Sequence, residues 1–447
     1  MSKKTVITYG TFDMLHEGHL NLLKKAKSLG NNLIVAVTGE NYDRCRGKLN
    51  VKQSVHDRIK NIERTNLADK IIIEETEGQK ATDIQNYNVD LFVIGSDWQG
   101  KFDYLKEYCE VLYIARTRGV SSTMLRQEND LQRVGIVGLG NIADRFAREV
   151  NFVSNVELSS CYSTRKKAAE SFANEHEIHF HTDCFEDFLN EIDAVYIATP
   201  HDSHFQYVKK SLSSGKHVLC EKPMCLSHKE SREVFGIAKD HNLVLMEAIK
   251  TAFCEGFQKI ISFAKSGEIG RILQLDASFT KIIKDQNRRE FLKQKSGGAH
   301  NELMSYPLLA AAKILGHNPL DYHNIRFYKD HEVDIFSNLQ LRYQNTIANL
   351  SCGIMAKKEG SLVVTGTEGY VYVPAPWWKT SQIHIKFENQ EVNKKLHFPF
   401  QGDGLRYEIS EFINCINKNK STSYMCSEQD SLFLAEMMDI DYSIIQV

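Results

Sequence analysis

The segment "TVITYGTFDMLHEGHLNLL", Thr5–Leu23, determines the fold predicted for the N-terminal part of this chain. It begins with a short apolar run, passes through a glycine turn and continues with the periodicity of a helix. His16 and His19 are three residues apart at the start of that helix, so their side chains project from roughly the same face. The first turn of a helix offers unpaired N–H groups and the positive end of the dipole, which both attract phosphate. We therefore predict a site for phosphate oxygens at this strand–helix junction.

A second junction of the same kind is "RVGIVGLGNIADRFAREV", Arg133–Val150. Gly138, Gly140 and Ala143 give the pattern G-x-G-x-x-A between an apolar strand and an amphipathic helix. Small residues at these positions allow a tight turn, close approach of a pyrophosphate and close packing of the helix on the sheet. The pattern predicts a dinucleotide site.

Each junction begins its own series of short apolar strands that alternate with helical segments. This alternation is typical of a doubly wound parallel sheet, so the chain is predicted to contain two α/β units. From about Arg271 the pattern changes to β-rich alternation, which favours an open antiparallel sheet. Two amphipathic helices are predicted after it, within Arg406–Lys420 and Ser427–Ile445.

Composition limits the possible functions. The chain has 447 residues, of which 42% are apolar and 25% charged, and a formal net charge of −2. This balance gives no field that would attract nucleic acid or an anionic membrane. No apolar run approaches the roughly 20 residues of a membrane span, and the N-terminus lacks a signal-peptide core. The ten cysteines include no CxxC pair, so we expect reduced thiols, a cytoplasmic location and no metal held by side chains.

Three separated blocks give the N-terminal part a family resemblance. They are "GTFDMLHEGH" at Gly10–His19, "GSDWQGKFD" at Gly95–Asp103 and "RTRGVSSTML" at Arg116–Leu125. With these blocks in this order, the segment Thr5–Gln127 resembles the glycerol-3-phosphate cytidylyltransferase family. The resemblance implies transfer of a cytidylyl group from CTP to a phosphorylated acceptor.

This reaction needs hydrogen-bond donors more than covalent catalysis. Attack on the α-phosphorus of CTP increases negative charge on the nonbridging oxygens and on the departing pyrophosphate. His16 and His19 are the predicted catalytic donors, Trp98 is expected beside the acceptor, and Mg²⁺ is expected on the triphosphate. The other residues that the resemblance places at CTP are Thr11, Phe12, Lys48, Arg58, Asp97, Arg116, Thr117, Gly119, Ser121, Ser122 and Thr123.

The part from about Gln132 to the C-terminus resembles a second family. "TPHDSH" and "EKP" lie within Ala194–Met224, and "SGGAHNELMSYP" begins at Ser296. These segments resemble the Gfo/Idh/MocA oxidoreductases, in the form found in dihydrodiol-dehydrogenase-like members. The resemblance implies a nicotinamide cofactor, with Lys222 of "EKP" beside the reacting carbonyl and Tyr306 as a second acid.

The cofactor prediction depends on the end of the second strand of this series. No Asp or Glu stands where an NAD enzyme would bind the ribose diol, whereas Ser163, Thr164 and Arg165 could hold a 2′-phosphate. NADP is therefore predicted, with NAD left open. The predicted cofactor-binding residues are Gly138, Gly140, Asn141, Ile142, Ala143, Ser163, Thr164, Arg165, Thr199, Pro200, His204, Glu221 and Lys222.

The substrate pocket departs from the family pattern. Glu302 stands where the family has aspartate, Met304 where it has glycine, and His300 at an apolar position. We predict that His300 and Glu302 contact the substrate. Because of these changes, the sugar substrates usual in the family do not transfer to this chain.

These observations predict an α/β chain with three structural units. They are a Rossmann-like nucleotidyltransferase domain (1–127), a Rossmann NAD(P)-binding domain (128–250) and an α+β open-sheet substrate and oligomerisation domain (251–447). The predicted enzyme is bifunctional and a homo-oligomer. It reduces a sugar phosphate and activates the resulting polyol phosphate with CTP, giving a CDP-polyol for cell-surface polymers. Two alternatives stay open at this point: CDP transfer could come first, or the oxidoreductase unit could be a non-catalytic oligomerisation module.

Overall fold

The computed structural model describes residues 4–45, 48, 51–76, 78–114, 131–329 and 332–447, with the backbone alone at residues 41, 44, 45 and 97. The predicted block Arg116–Leu125 and the predicted domain boundary between residues 127 and 128 lie outside the described residues. The chain divides into two compact units. One comprises 1–132 with 151–157 and 174–179, and the other contains the remaining residues.

The first unit is built on a five-stranded parallel sheet in the order β3-β2-β1-β4-β5. The strands are β1 (Thr5–Gly10), β2 (Asn32–Thr38), β3 (Lys70–Glu74), β4 (Leu91–Gly95) and β5 (Glu110–Ile114). The helices described in this unit are α1 (Glu17–Ser28), α2 (Glu40–Cys45), α3 (Val55–Glu63) and α4 (Gln79–Asn86). Strand β1 is central, and its Val6 and Ile7 are fully buried in separate apolar clusters. The strand order reverses at β1, which opens a crevice at the carboxyl ends of β1 and β4.

The second unit begins with a six-stranded sheet in the order β11-β10-β9-β6-β7-β8, in which the registered pairs are parallel. The strands are β6 (Gln132–Val137), β7 (Val156–Tyr162), β8 (Phe180–Thr182), β9 (Ala194–Ile197), β10 (His217–Glu221) and β11 (Leu245–Ala248). The helices are α5 (Asn141–Glu149), α6 (Lys166–Glu175), α7 (Phe185–Asn190), α8 (His201–Ser213) and α9 (His228–Asp240). The segments carrying Gly138, Thr199 and Lys222 follow β6, β9 and β10, so they meet at one edge of the sheet.

A nine-stranded sheet completes the second unit, in the order β19-β18-β17-β16-β12-β15-β14-β13-β20. Its strands are β12 (Ile272–Thr280), β13 (Asp321–Tyr328), β14 (Asp334–Arg342), β15 (Ile347–Gly353), β16 (Leu362–Gly366), β17 (Gly369–Val373), β18 (Gln382–Phe387), β19 (Lys394–His397) and β20 (Ser443–Gln446). The accompanying helices are α10 (Glu255–Ser266), α11 (Ala299–Leu303), α12 (Ser305–Leu315), α13 (Leu405–Asn417) and α14 (Glu428–Met438).

Two features of this sheet differ from the sequence prediction. Most neighbours are antiparallel as predicted, but β12 pairs with β15 and β13 with β20 in parallel. The helix predicted to run to Ile445 ends at Met438, and the last residues form β20. That part of the prediction is wrong because Ser443–Gln446 finds backbone partners along the edge strand β13.

The nine cysteines that the structure describes are free thiols. Within the described ranges, the helices are too short or too polar to cross a membrane.

Candidate active sites

The turn after β1 positions the histidines of the first unit. Phe12 and Met14 adopt φ values of 52° and 48°, which reverse the chain within a few residues of Gly10. The Phe12 ring is buried below the turn, and a Cβ at Gly10 would lie 2.9 Å from it. Glycine at position 10 therefore lets the aromatic ring pack directly against the end of the strand.

The structure brings the two predicted catalytic histidines together. The rings of His16 and His19 are stacked, with centroids 3.8 Å apart and an interplanar angle of 22°. The edge of the His19 ring meets Phe12 at a centroid distance of 5.4 Å. A Cβ at Gly18 would lie 3.1 Å from atoms of the His16 ring, so the glycine between the histidines makes room for this stacking.

Buried polar contacts fix the same turn from below. The carboxylate of Asp13 accepts the backbone N–H groups of Lys52 and Gln53 at 2.9 and 3.0 Å. These bonds tie the turn to the segment that leads into α3, which carries Arg58.

Arg58 is fully buried and donates hydrogen bonds to the backbone at the ends of two strands. Its Nη1 donates to the carbonyl oxygens of Thr11 and Thr38 at 2.8 and 2.9 Å and lies 3.3 Å from the carboxylate of Asp43. Asp43 also accepts hydrogen bonds from the hydroxyls of Thr38 and Thr11, at 2.7 and 3.4 Å. Among the described residues, Nη2 of Arg58 has no hydrogen-bond partner.

The structure describes only some of the remaining predicted CTP-binding residues. Lys48 is half-buried, and its amide donates to the carbonyl of Asp43. Trp98 closes the 3₁₀ turn Ser96–Trp98 after β4, with its ring 5.9 Å from that of Phe102. Asp97 contributes its backbone to this turn. Outside the described residues are Arg116, Thr117, Gly119, Ser121, Ser122 and Thr123.

The glycine turn of the second unit fits a dinucleotide. Gly138 has φ +86°, and a Cβ there would lie 2.7 Å from the backbone of Ala198. A Cβ at Gly140 would meet no protein atom within 4 Å, so space is open in front of α5. Gly140 is the N-cap of α5 and supplies no side-chain hydrogen bond, which leaves the first N–H groups of the helix for a pyrophosphate. Buried Ala143 allows close packing of the helix, while Asn141 is exposed and Ile142 half-buried.

The other predicted cofactor residues line the same edge of the sheet. Ser163 is half-buried after β7, and Thr164 and Arg165 are exposed. The Arg165 amide donates to the Ser163 hydroxyl at 3.2 Å. Thr199 and Pro200 follow β9 and lead into α8.

His204 joins two of these loops. Its ring nitrogens lie 2.8 Å from the carbonyl oxygens of Thr199 and Pro223, and the side chain is fully buried. Burial lowers the pKa of His204. The histidine therefore holds the loop after β9 to the loop after β10.

The structure also brings Lys222 and Tyr306 together. Nζ of Lys222 donates to the backbone carbonyl of Glu302 at 2.7 Å and lies 5.7 Å from the centroid of the Tyr306 ring. Burial, together with Glu221 and Glu408, raises the pKa of Tyr306 well above its ordinary value. The Glu221 carboxylate accepts the Tyr196 hydroxyl at 2.7 Å. The Lys222–Pro223 peptide bond is cis.

Glu302 meets a residue that the sequence analysis missed. Arg289 donates to both carboxylate oxygens of Glu302, at 3.0 and 3.4 Å, and His201 lies 3.8 Å away. Burial raises the pKa of Glu302, which Lys222 and Arg289 counteract. The tandem arginines ahead of "SGG" were the available signal.

His300 is enclosed by protein. Its ring nitrogens lie 3.0 Å from the Ser337 hydroxyl and 3.2 Å from the Met437 carbonyl, and the side chain has no exposed surface. Burial lowers the pKa of His300 to about 3. In this structure the ring packs inside the protein, and its predicted contact with the substrate stays a prediction.

Comparison with known proteins finds a matching family model for each part of the chain. The cytidylyltransferase-like family model matches residues 7–128. The models for the oxidoreductase family with NAD-binding Rossmann fold and for the GFO/IDH/MocA C-terminal domain match 132–249 and 257–372. The glycerol-3-phosphate cytidylyltransferase of Bacillus spizizenii is 45% identical over 125 residues, which is 28% of this chain and 96% of that protein. The N-terminal part belongs to the glycerol-3-phosphate cytidylyltransferase family, and the rest of the chain matches the two oxidoreductase models.

The oxidoreductase part has more distant relatives. Trans-1,2-dihydrobenzene-1,2-diol dehydrogenase of Xenopus tropicalis is 26% identical over 317 residues, covering 68% of this chain and 95% of that protein. The fold matches the crystal structure of a 3-ketoreductase from Actinomadura kijaniata in complex with NADP and TDP-benzene. That match has a TM-score of 0.64 and 23% identity, over 71% of this chain and 99% of the other. The chain is thus a cytidylyltransferase fused to an NAD(P)-dependent oxidoreductase.

Proposed function

We propose that this fused enzyme makes a CDP-linked polyol in two steps. The oxidoreductase unit reduces the carbonyl of a keto- or aldo-sugar phosphate to a polyol phosphate, and the first unit transfers a cytidylyl group from CTP to that product. One observation supports this order. A unit 45% identical to a glycerol-3-phosphate cytidylyltransferase shares a chain with an oxidoreductase, and a polyol phosphate is the product that carbonyl reduction of a sugar phosphate gives.

In the first unit, His16 and His19 donate hydrogen bonds to the phosphate oxygens on which charge develops. Stacked rings at the start of α1 present two donors beside a helix N-terminus, where the dipole adds to the effect. The carboxylate of Asp13 already accepts two backbone N–H groups. We therefore propose that Mg²⁺ enters on the CTP phosphates, where it offsets part of their charge. Arg58 sets the turn, and Trp98 borders the acceptor.

In the second unit, Lys222 and Tyr306 act on the carbonyl oxygen of the substrate. The bound nicotinamide would supply the hydride. The Lys222 ammonium, held by the Glu302 carbonyl, stabilises the alkoxide charge that forms, and Tyr306 donates the proton. The Tyr306 hydroxyl carries its proton at neutral pH, since burial raises its pKa further above an ordinary value that already exceeds neutrality.

We propose NADPH as the reductant. Ser163, Thr164 and Arg165 bring hydroxyls and a cation, and no carboxylate, to the end of β7. Replacing Arg165 with alanine is expected to weaken NADPH binding about tenfold or more, since a charge-assisted hydrogen bond is lost. NADH binding should stay within about twofold of the wild type. Fluorescence titration with each cofactor measures both constants, and equal weakening of the two would contradict the NADP assignment.

The product class suggests a wider role. CDP-glycerol and CDP-ribitol type compounds are donors for teichoic-acid-like and capsular polymers, so we propose a cytoplasmic, homo-oligomeric enzyme that supplies such synthesis. Mass spectrometry tests the reaction itself. The protein is incubated with CTP, NADPH and a panel of three- to five-carbon keto-sugar phosphates, and, separately, with CTP and ready-made polyol phosphates.

Formation of a CDP-polyol that needs both CTP and NADPH supports the proposal. A CDP-linked keto sugar that forms before any NADPH is consumed reverses the order of the two steps. Cytidylyl transfer to ready-made polyol phosphate without any NADPH-dependent reduction would leave the oxidoreductase unit as a non-catalytic module.

A further inference from the structure

Three cations from separate elements of the second unit converge on the loop that precedes α13. Nζ of Lys250, just beyond β11, donates to the backbone carbonyl of Asp403 at 2.8 Å. Nη1 of Arg145, on α5, lies 3.8 Å from the carboxylate of the same residue, and Nζ of Lys379 lies 3.7 Å from it. One aspartate is thus shared by three positive side chains.

This cluster has surplus positive charge. The two contacts with the Asp403 carboxylate are longer than hydrogen bonds and partly exposed to solvent, so each stabilises the fold little. The neighbouring Glu408 is buried, and burial together with Glu221 raises its pKa well above the ordinary value. Burial thus favours the neutral form of Glu408, which weakens its ability to balance the cations. Burial and the nearby Lys379 lower the pKa of Lys250, against the opposing effect of Glu408, Glu221 and Asp403.

The cluster adjoins the proposed proton donor. The ring of Phe279 lies 5.0 Å from that of Tyr306 and stacks at 3.6 Å on Trp378, the residue before Lys379. Arg145 also acts electrostatically on Tyr306, lowering its pKa against the larger effect of burial. The Tyr306 ring is therefore linked through Phe279 and Trp378 to the segment that carries Lys379.

We infer that Arg145, Lys250 and Lys379 bind the phosphoryl group of the oxidoreductase substrate. A phosphate dianion would replace the distant Asp403 carboxylate as the partner of Arg145 and Lys379. Lys250, which here donates to the Asp403 backbone carbonyl, would add a third cation to it. The pyrophosphate of the dinucleotide has its own place at Gly138 and the start of α5. The inference rests on the proposed reduction of a phosphorylated carbonyl. The same chemistry could come from the monoester of a sugar phosphate or from the diphosphate of a CDP-linked sugar, which the test separates.

The site is tested by variants that remove a positive charge and by one that removes the negative charge of Asp403. Lys250→Met and Lys379→Met should each raise the KM for the phosphorylated carbonyl about tenfold or more, as expected for loss of a charge-assisted hydrogen bond. The kcat and the Kd for NADPH should change less than about threefold, because neither lysine touches the reacting atoms. Asp403→Asn should lower that KM, since a competing anion is removed. Lys209→Met is the matched control, because Lys209 also forms a partly exposed ion pair, with Glu233.

Binding of phosphate at this site can also be measured in the absence of catalysis. In a Trp98→Phe background, tryptophan fluorescence reports Trp377 and Trp378, both in the second unit. Titration with inorganic phosphate should change this fluorescence in the parent protein and not in its Lys250→Met variant. If no phosphorylated carbonyl is reduced, the proposed function fails, and a phosphate response lost in Lys250→Met still supports the subsite.

Three further results decide the source of the ligand and whether the inference stands. If a CDP-linked sugar is the substrate and the lysine variants raise its KM, the subsite holds a diphosphate and the order of the two reactions is reversed. If the lysine variants weaken NADPH binding and leave the substrate KM unchanged, the inference is overturned. The inference is also overturned if phosphate gives the same fluorescence response in parent and variant.

Discussion

At the scale of single residues, the histidine pair shows how one small neighbour sets a site. Gly18 leaves room for the His16 ring, which stacks on His19, and His19 in turn contacts Phe12 in the turn after β1. We expect His16→Ala and His19→Ala each to lower the rate of cytidylyl transfer about 100-fold or more, the loss typical of a transition-state hydrogen-bond donor. The assay is CDP-polyol formation from CTP and ready-made polyol phosphate.

NADPH-dependent reduction in the same two variants is the internal control, because it depends on the other unit. The exposed His56 gives a matched control variant, His56→Ala, which should transfer at the wild-type rate. Retention of more than about a tenth of the transfer rate in both active-site variants would reject the assignment.

Lys222 and Tyr306 divide the work on the carbonyl oxygen. Lys222→Met keeps the methylene stem and removes the charge, so carbonyl reduction should fall about 100-fold or more while NADPH binding changes little. Tyr306→Phe should lower carbonyl reduction by about as much, because it removes the proposed proton donor, and a much smaller loss would assign the proton to Lys222. Stopped-flow NADPH oxidation with a bound-cofactor titration checks both statements.

Lys216→Met is the matched control for Lys222→Met, because Lys216 also donates to a backbone carbonyl, that of Ile192, from the other end of β10. It should reduce the substrate normally. Near wild-type reduction by Lys222→Met would move the hydride-transfer site elsewhere and favour the non-catalytic module.

Residues with backbone roles were predictable from sequence, whereas residues brought together by tertiary contacts were not. Gly138 is required by a positive φ and a close backbone neighbour, and its motif signals this locally. His300 looked like a pocket residue because of its motif position, yet the helix turns its ring toward Ser337 and Met437. Lys250 and Asp403 are 153 positions apart along the chain, so no local pattern indicates that they meet.

At the scale of elements, hydrophobic periodicity located the parallel sheets because most strands there are followed by a helix. It failed where pairing depends on a distant partner. The residues of β20 have helical spacing after α14, but they lie along β13, more than 100 residues earlier in the chain. Periodicity describes which face of a segment is apolar, and it contains no information about which edge strand lies free.

A buried ion pair links two helices of the second unit. Arg406 at the start of α13 donates to both carboxylate oxygens of Glu149 at the end of α5, at 2.8 and 2.7 Å. Arg406→Met leaves a buried carboxylate without its partner, so the free energy of unfolding should fall by about 3–5 kcal/mol. Denaturant unfolding followed by tryptophan fluorescence, to which the buried Trp377 contributes, measures the change.

The double variant Glu149→Leu/Arg406→Met should be more stable than Arg406→Met alone, because it removes both buried charges. The exposed pair of Arg148 and Asp144 on α5 gives the control, and Arg148→Met should cost less than about 1 kcal/mol. Equal losses from the two arginine variants would contradict the argument.

At the scale of the whole molecule, fusion fixes the ratio of the two activities at one to one. A linked second site also experiences the product of the first at a raised effective concentration. This raised concentration favours synthesis of a CDP-polyol, because the polyol phosphate released by the reduction is the acceptor for cytidylyl transfer. The two units nevertheless have separate folding determinants. The apolar clusters of the first sheet lie within residues 6–114, and the cluster of the six-stranded sheet is built from residues beyond 136.

Separate cores lead to the last prediction. Cutting the chain within Met124–Gln132 should yield two pieces that fold and work independently, because each retains a complete sheet and its own buried cluster. The N-terminal piece should transfer cytidylyl groups, and the C-terminal piece should oxidise NADPH, each at roughly half the wild-type rate or better. Expression of both pieces, circular dichroism and the two separate assays measure this. Mixing the pieces should restore both activities but lose any rate advantage that fusion gives to the coupled reaction at low substrate concentration. An N-terminal piece that is insoluble or inactive would show that the cytidylyltransferase depends on residues beyond the cut.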